Sequence, residues 1–174
     1  MNNLRQLIYL KKLNNKNISG DYIKWMNDYD VVKYTEQRFK KNSFRDIKKF
    51  ILQKNKSKID YLYGIFFKEK NSLVHIGNIK LGPINKNHMT ADVSYIIGKK
   101  IFWKKGIASF ALRKIIEIAR KKFKLKKLIA GCYENNFGSI KVLKKNHFKK
   151  EATFASQILF EKKRIKKLVF GLKI

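Results

Sequence analysis

The sequence predicts one α+β domain, and three observations carry the prediction. The chain of 174 residues suits a single domain with a sizeable core. Apolar runs of strand length follow one another between turn signals from Tyr61 to Ile97. Stripes of helical period lie on both sides of them, around Ile18–Asp28, Ser43–Gln53 and up to Arg120. No repeat, low-complexity tract or linker interrupts the chain.

Taken in order, Leu7 to Leu10 reads as a first strand and turn. Ile18 to Asp28 is a helix with Ser19 or Asp21 as its cap and Tyr22, Ile23, Trp25 and Met26 as its apolar side. Asp28 to Glu36 is mixed in character. Ser43 caps a second helix to about Gln53, with Phe44, Ile47, Phe50 and Ile51 expected inward. Tyr61–Phe67 and Val74–Leu81 form a hairpin, and Gly82-Pro-Ile-Asn-Lys-Asn87 reads as a second turn. Met89 to Ile97 is a third strand. It leads through a Gly- and Lys-containing loop into a long helix whose Ala108, Ala111, Leu112, Ile115, Ile118 and Ala119 recur at helical spacing. Lys127–Tyr133 is a strand, Asn136–Lys145 a short helix, and Phe148–Ile158 with Lys163–Leu172 a closing strand pair.

The formal net charge is +30, with 44% hydrophobic residues. That composition is globular, and the charge raises the question of an acidic partner. The lysines are spread along the whole chain and no arm concentrates them, so compositional bias explains most of them and a nucleic-acid partner is not expected. The lone cysteine, Cys132, forms no intramolecular disulfide and suits a reducing compartment, with small or apolar neighbours that make it a buried thiol. No apolar run reaches membrane-spanning length and no signal-peptide core is visible, which points to a cytoplasmic protein without membrane insertion. A monomer or a homodimer is equally compatible with the sequence.

The strand–loop–helix stretch from Val93 to Arg120 is the most informative for function. A helix start offers unpaired N–H groups and a favourable dipole to an anion. Gly106 permits close backbone approach and Ala108 keeps the first turn uncrowded, while Lys99, Lys100, Lys104 and Lys105 add positive charge. A solvated basic turn before a core helix would have the same sequence, so physics alone leaves both readings standing.

Trp103-Lys-Lys-Gly-Ile-Ala108 resembles the acetyl-CoA pyrophosphate loop of the GNAT acetyltransferases, in the Trp-Gly-Lys-Gly-Ile-Ala form of the RimJ/RimL-like branch, with Lys104 in place of the branch's first glycine. Tyr133 to Phe148 is similar to the family's Asn-x-x-Ser-Ile-x-x-x-x-Lys-x-Gly-Phe block. There Asn136, Ser139, Ile140, Lys145 and Phe148 match and His147 replaces glycine. Ile76–Lys80 and Ala91–Gly98 resemble the family's central strand pair, and Asp28–Glu36 resembles the segment that lines the acceptor side. The similarity runs from about Leu4 to Phe170.

The resemblance implies a central mixed, mostly antiparallel sheet of about six or seven strands flanked by about four helices. It implies acetyl-CoA as cosubstrate, bound by the backbone of Tyr95, Ile96 and Ile97, by the loop residues Trp103, Lys104, Lys105, Gly106, Ile107 and Ala108, and by Asn136 and Ser139. The family's tyrosine acid falls at Leu143, so Ser139, Tyr133 or water is left to protonate the departing thiolate. Ser139 is as readily a helix-cap hydroxyl. An acceptor amine, with a pKa of ~8 to ~10, must lose a proton before attack. Asp92, Glu36 and His75 are the candidate bases, each with a plain structural alternative. The implied activity is direct acetyl transfer to a primary amine of a small molecule such as a nucleotide-linked amino sugar. N-terminal acetylation of a ribosomal protein, and a basic RNA- or ribosome-binding module on a silent fold, are the alternatives.

Overall fold

The computed structural model describes residues 6–174. The expected beginning of the family resemblance at Leu4 therefore lies outside the described residues. The strands are β1 (Ile8–Lys12), β2 (Tyr61–Glu69), β3 (Ser72–Asn85), β4 (Thr90–Ile97), β5 (Lys127–Tyr133), β6 (Lys149–Phe160) and β7 (Lys163–Lys173). They form one sheet in the order β1-β2-β3-β4-β5-β7-β6, antiparallel throughout except where β4 meets β5. The helices are α1 (Gly20–Met26), α2 (Tyr29–Val32), α3 (Phe44–Lys56), α4 (Ile107–Lys121) and α5 (Phe137–Lys145). The fold is thus α+β with a seven-stranded mixed sheet, as expected, and with α2 added in the segment the sequence left mixed.

Local chemistry sets the helix starts. Ser19 caps α1 by accepting the Tyr22 N–H at 3.1 Å, and Ser43 with Asp46 closes a reciprocal capping box on α3. Only Ile47 and Ile51 of α3 are buried, whereas Phe44 and Phe50 are exposed, correcting the expectation of four inward residues. The buried pair lies one helical turn apart and faces β2, so the inward stripe is narrow.

A second correction concerns Gly82-Pro83. The expected turn at 82–87 is met only in its last two residues: β3 runs through Gly82-Pro83 to Asn85, with the register to β4 shifting between Leu81 and Ile84, and the chain turns at 86–89. Proline has no N–H to give the ladder and is tolerated at such a bulge.

Two apolar layers sandwich the sheet. On one face α4 lays Ile107, Ala111, Leu112, Ile115 and Ala119 against Ile79, Leu81, Val93, Leu128 and Phe170, all buried. On the other, Tyr22 and Trp25 of α1 and Ile47 and Ile51 of α3 cover Leu62 and Phe66. Each large buried side chain contributes roughly 1.5–3 kcal/mol, so both layers are substantial.

Candidate functional site

The two parallel strands at the centre of the sheet pair for only three residues, Thr90 with Lys127, Ala91 with Leu128 and Asp92 with Ile129. Beyond Asp92 they diverge, because β5 stays with β7 as far as Tyr133 while β4 stays with β3 as far as Ile97. The result is a split whose floor is Asp92 and whose walls are Val93–Ile97 and Ala130–Tyr133.

The β4 wall is backbone. Gly98 donates its N–H to the Ile76 carbonyl at 2.8 Å. By the two-residue alternation of an antiparallel ladder, Ile96 and Ser94 then face β3, and Tyr95 and Ile97 turn their N–H and C=O groups into the split. The sequence grouped Ile96 with its neighbours, but its backbone belongs to the ladder with Asn78. The Ile97 carbonyl accepts the indole N–H of Trp103 at 2.8 Å, consistent with that direction. An open strand edge of this kind can add an extended, amide-bearing chain.

Immediately beyond lies the start of α4. Its N-cap Gly106 has φ 77° and ψ 7°, in the left-handed region, and offers no side chain to the first-turn N–H groups. Nothing stands within 4 Å of where a Cβ of Gly106 would be, so the conformation and not crowding demands glycine there. Lys104 is also left-handed at φ 59°. Lys104 and Lys105 are exposed and make no ion pair among the described residues.

The expectation that Lys99 and Lys100 share this task is not met. Lys99 pairs with Asp21 at 2.7 Å, and Lys100 pairs with both Asp28 and Asp30 at 2.8 Å. These two lysines tie the β4–α4 connection to α1 and α2. Trp25 adds packing to the same junction, since a Cβ on Gly98 would fall inside its ring.

At the far side of the split, Asn136 caps α5 by accepting the Ser139 N–H at 3.1 Å. The Ser139 hydroxyl lies 2.9 Å from the Tyr95 hydroxyl, joining β4 to α5. Leu143 is buried in the core, so no acid stands at the position of the family's tyrosine. Burial raises the Tyr95 phenol pKa strongly, and the Cys132 thiol is also raised by burial, as a structural cysteine requires.

The candidate bases separate clearly. Asp92 stands at the point of divergence, with partial desolvation raising its carboxyl pKa while Lys80 and Lys167 pull it down. Glu36 lies in the turn Glu36–Phe39 and accepts the Tyr133 hydroxyl at 3.0 Å. Arg38 donates to the same Tyr133 oxygen and to the Leu159 carbonyl, so this turn is fastened to β5 and β6. His75 is buried between Phe66, Trp25 and Tyr22, where its Nε2 meets the Gly77 carbonyl at 2.9 Å and Asn78 Oδ1 at 2.8 Å. Both partners accept, so Nε2 carries a proton, and burial lowers the ring's pKa and favours its neutral form. His75 is a core residue outside the split.

Two functional contacts escaped the sequence reading. Arg38 had no motif to mark it. Asn146 donates to Ser109 Oγ at 2.9 Å and locks α5 to the first turn of α4; nothing in the sequence marks it.

A sheet split at its single parallel pair, beside an uncapped helix start, defines the class as a GNAT-type fold. The chain belongs to the acetyltransferase (GNAT) domain family, whose profile matches residues 8–149. A stretch of 93 residues is 34% identical to the probable N-acetyltransferase YjcK of Bacillus subtilis (strain 168). That stretch is 53% of this chain and half the length of the curated relative. Among solved structures, the spermidine N-acetyltransferase of Vibrio cholerae in complex with CoA and spermine superposes with TM-score 0.81 at 17% identity, over 97% of this chain and 96% of that one. The Microcin C7 self immunity acetyltransferase MccE, in complex with acetyl-CoA and AMP, gives TM-score 0.82 at 19% identity, over 96% and 92%. At these identities the structures establish the fold. No described helix is long and apolar enough to cross a membrane.

Proposed function

We propose that this chain is an acetyl-CoA-dependent N-acetyltransferase that moves an acetyl group directly to a primary amine. One observation carries the reading: the edge of β4 that β5 leaves at Tyr95 and Ile97 leads through the loop 98–106 to the uncapped start of α4. An extended amide-bearing chain ending in a pyrophosphate matches that sequence of groups. Trp103 to Ala108 and Asn136 to Phe148 support the RimJ/RimL-like branch, residues 1–174 acting as one domain around one sheet. The lone buried Cys132 supports a cytoplasmic location.

Acetyl-CoA supplies an acyl thioester as the electrophile. Tyr95 and Ile97 align it through backbone groups, and the N–H groups of Ile107 and Ala108, with Lys104 and Lys105, hold its phosphates. Asp92 accepts the proton from the acceptor amine, directly or through water, and a raised pKa suits it to that task. Backbone N–H groups of the β4 edge stabilise the charge that develops on the carbonyl oxygen. With Leu143 buried, the Ser139 hydroxyl or solvent protonates the leaving thiolate. The acceptor is a nucleotide-linked amino sugar or a similar small amine. The lysine-rich surroundings of Asp92 support an anionic acceptor, and MccE, of similar fold, is known in complex with acetyl-CoA and AMP.

Thiol release from acetyl-CoA with amines, with mass spectrometry of the product, tests the reading. CoA should bind by calorimetry and thiol should appear only when an amine is present. Salt-sensitive RNA retention without CoA binding would instead favour the silent module, a reading that the missing acid at Leu143 keeps open.

A further inference from the structure

We propose that Lys167 determines acceptor choice: the amine acetylated here carries a phosphate group that Lys167 binds while the nitrogen meets Asp92. For the role of Asp92 the inference rests on the transferase reading above; the charge geometry around it is independent of that reading.

Asp92 and Ile129 are register partners, so Asp92, Ile129, Gly131 and Tyr133 share one face of the sheet, opposite α4. Gly131 is the first residue on this face of β5 after the strands part, and it has no side chain. Lys167 of β7 fills the space: its Cε lies 3.2 Å from where a Cβ of Gly131 would be. The lysine stem thus lies over Gly131, on the same face of the sheet as Asp92, and its charge lowers the Asp92 pKa.

The opposite side of Asp92 is also cationic. Lys80 is paired with Ser94 in the β3–β4 register and influences Asp92 likewise. Lys80 and Lys54 are both engaged by Asp60, at 3.4 and 3.0 Å. Desolvation notwithstanding, these two lysines hold the Asp60 carboxyl below its ordinary pKa. Lys167 has no such partner: it makes no ion pair among the described residues.

With the Lys54–Asp60 pair self-compensating, two ammonium groups, Lys80 and Lys167, act on the single Asp92 carboxylate, an excess of one positive charge. An arriving amine is itself mostly a cation, and it raises the excess to about two charges at the point where one proton must be removed. A phosphate monoester brings a charge of about −1.5 to −2 near neutral pH and balances both. A carboxylate balances one. A polyamine deepens the imbalance, so the spermidine chemistry of the V. cholerae relative does not fit this split.

The test compares kcat/KM for glucosamine 6-phosphate, glucosamine and spermidine with acetyl-CoA, in the wild-type chain, Lys167→Met, Lys167→Arg and the distant control Lys11→Met. Wild type should prefer the phosphorylated amine over glucosamine by ~10-fold or more. Lys167→Met should reduce that preference by about fivefold to tenfold, with Lys167→Arg retaining most of it and Lys11→Met all of it. Calorimetry of glucosamine 6-phosphate, with and without CoA, reads the subsite without turnover. Binding that depends on Lys167 without acetyl transfer would keep the subsite and sink the transferase reading. Transfer to glucosamine or spermidine as good as to the phosphorylated amine, a preference unchanged in Lys167→Met, or no wild-type binding of the phosphorylated amine would overturn the subsite.

Discussion

The two walls of the central split are built from different materials. On the β4 side the groups that face the gap are main-chain amides and carbonyls of Tyr95 and Ile97, continued by the first turn of α4. Facing it, the β5 side is made of side chains: Tyr133 held by Glu36 and Arg38, and Lys167 across Gly131. A backbone wall can bind one ligand while its sequence drifts, since any residue supplies the same N–H and C=O. A side-chain wall changes its ligand with each substitution. Cofactor and acceptor sites are thus expected to differ in how substitutions affect them.

Asp92→Asn should produce the largest effect, because it touches chemistry alone. Size and hydrogen bonding are kept and basicity is removed. Amine acetylation should fall by ~10²–10⁴-fold with CoA affinity nearly unchanged, and the residual rate should recover as pH rises and more amine is neutral. In the wild-type chain the base works only when ionised. Burial raises its pKa against the pull of Lys80 and Lys167, so the acidic limb of the rate profile should lie at a higher pH than for a solvent-exposed aspartate. A loss of only a few-fold would return the role to Glu36, whose engagement by Tyr133 otherwise predicts a small effect for Glu36→Gln.

Gly106→Val sharpens the contrast from the other wall. Valine tolerates φ 77° poorly, at a cost of roughly 1–2 kcal/mol or more. The first turn should rearrange, and CoA binding by calorimetry should weaken ~10-fold or more. Unchanged affinity in a folded variant would move the phosphate site away from α4.

The four loop lysines make a finer division. Lys104→Met and Lys105→Met should each weaken CoA binding by about fivefold, less at high salt. Lys100→Met should leave CoA affinity within about twofold and instead raise the acceptor KM, because Lys100 is held by Asp28 and Asp30 and fastens α2 to the loop. Exposed pairs contribute at most about 1 kcal/mol, so its melting temperature should hardly move. Equal CoA losses in both sets would make the ion pairs incidental.

Much of this was legible in the sequence because it is periodic or capped. The stripe of Ala111, Leu112, Ile115 and Ala119 placed α4, Ser19 and Ser43 placed α1 and α3, and apolar runs of strand length placed the central strands. Pairing partners were not legible. Nothing in the run Ile97 to Lys105 distinguishes Lys100, bound to two aspartates about seventy residues earlier, from Lys104, which makes no ion pair among the described residues. Nor does Lys167 announce that it crosses Gly131, since that depends on β7 lying between β5 and β6. The Gly82-Pro83 strand was misread because a bulge and a turn share the same residues.

The smallest expected effect lies at two positions where this chain departs from its family. Lys104 and His147 stand where the resemblance has glycine, and both keep the left-handed backbone a glycine would adopt, at φ 59° and 66°. An L-residue with a Cβ carries roughly 1–2 kcal/mol in that conformation, and glycine adds unfolded-state entropy worth about 0.4–1 kcal/mol in the opposite direction. Lys104→Gly and His147→Gly should therefore each stabilise by ~1 kcal/mol or less, seen as a rise of about 2–4 °C in thermal melting. The two should part on function. His147 donates its backbone N–H to the Lys144 carbonyl at the end of α5, away from the split, so CoA affinity should be indifferent to its replacement. Lys104→Gly stabilises the loop and removes a phosphate-facing charge at once. A variant that melts higher and binds CoA more weakly, with the difference closing as salt is added, would separate the backbone's contribution to this site from the side chain's.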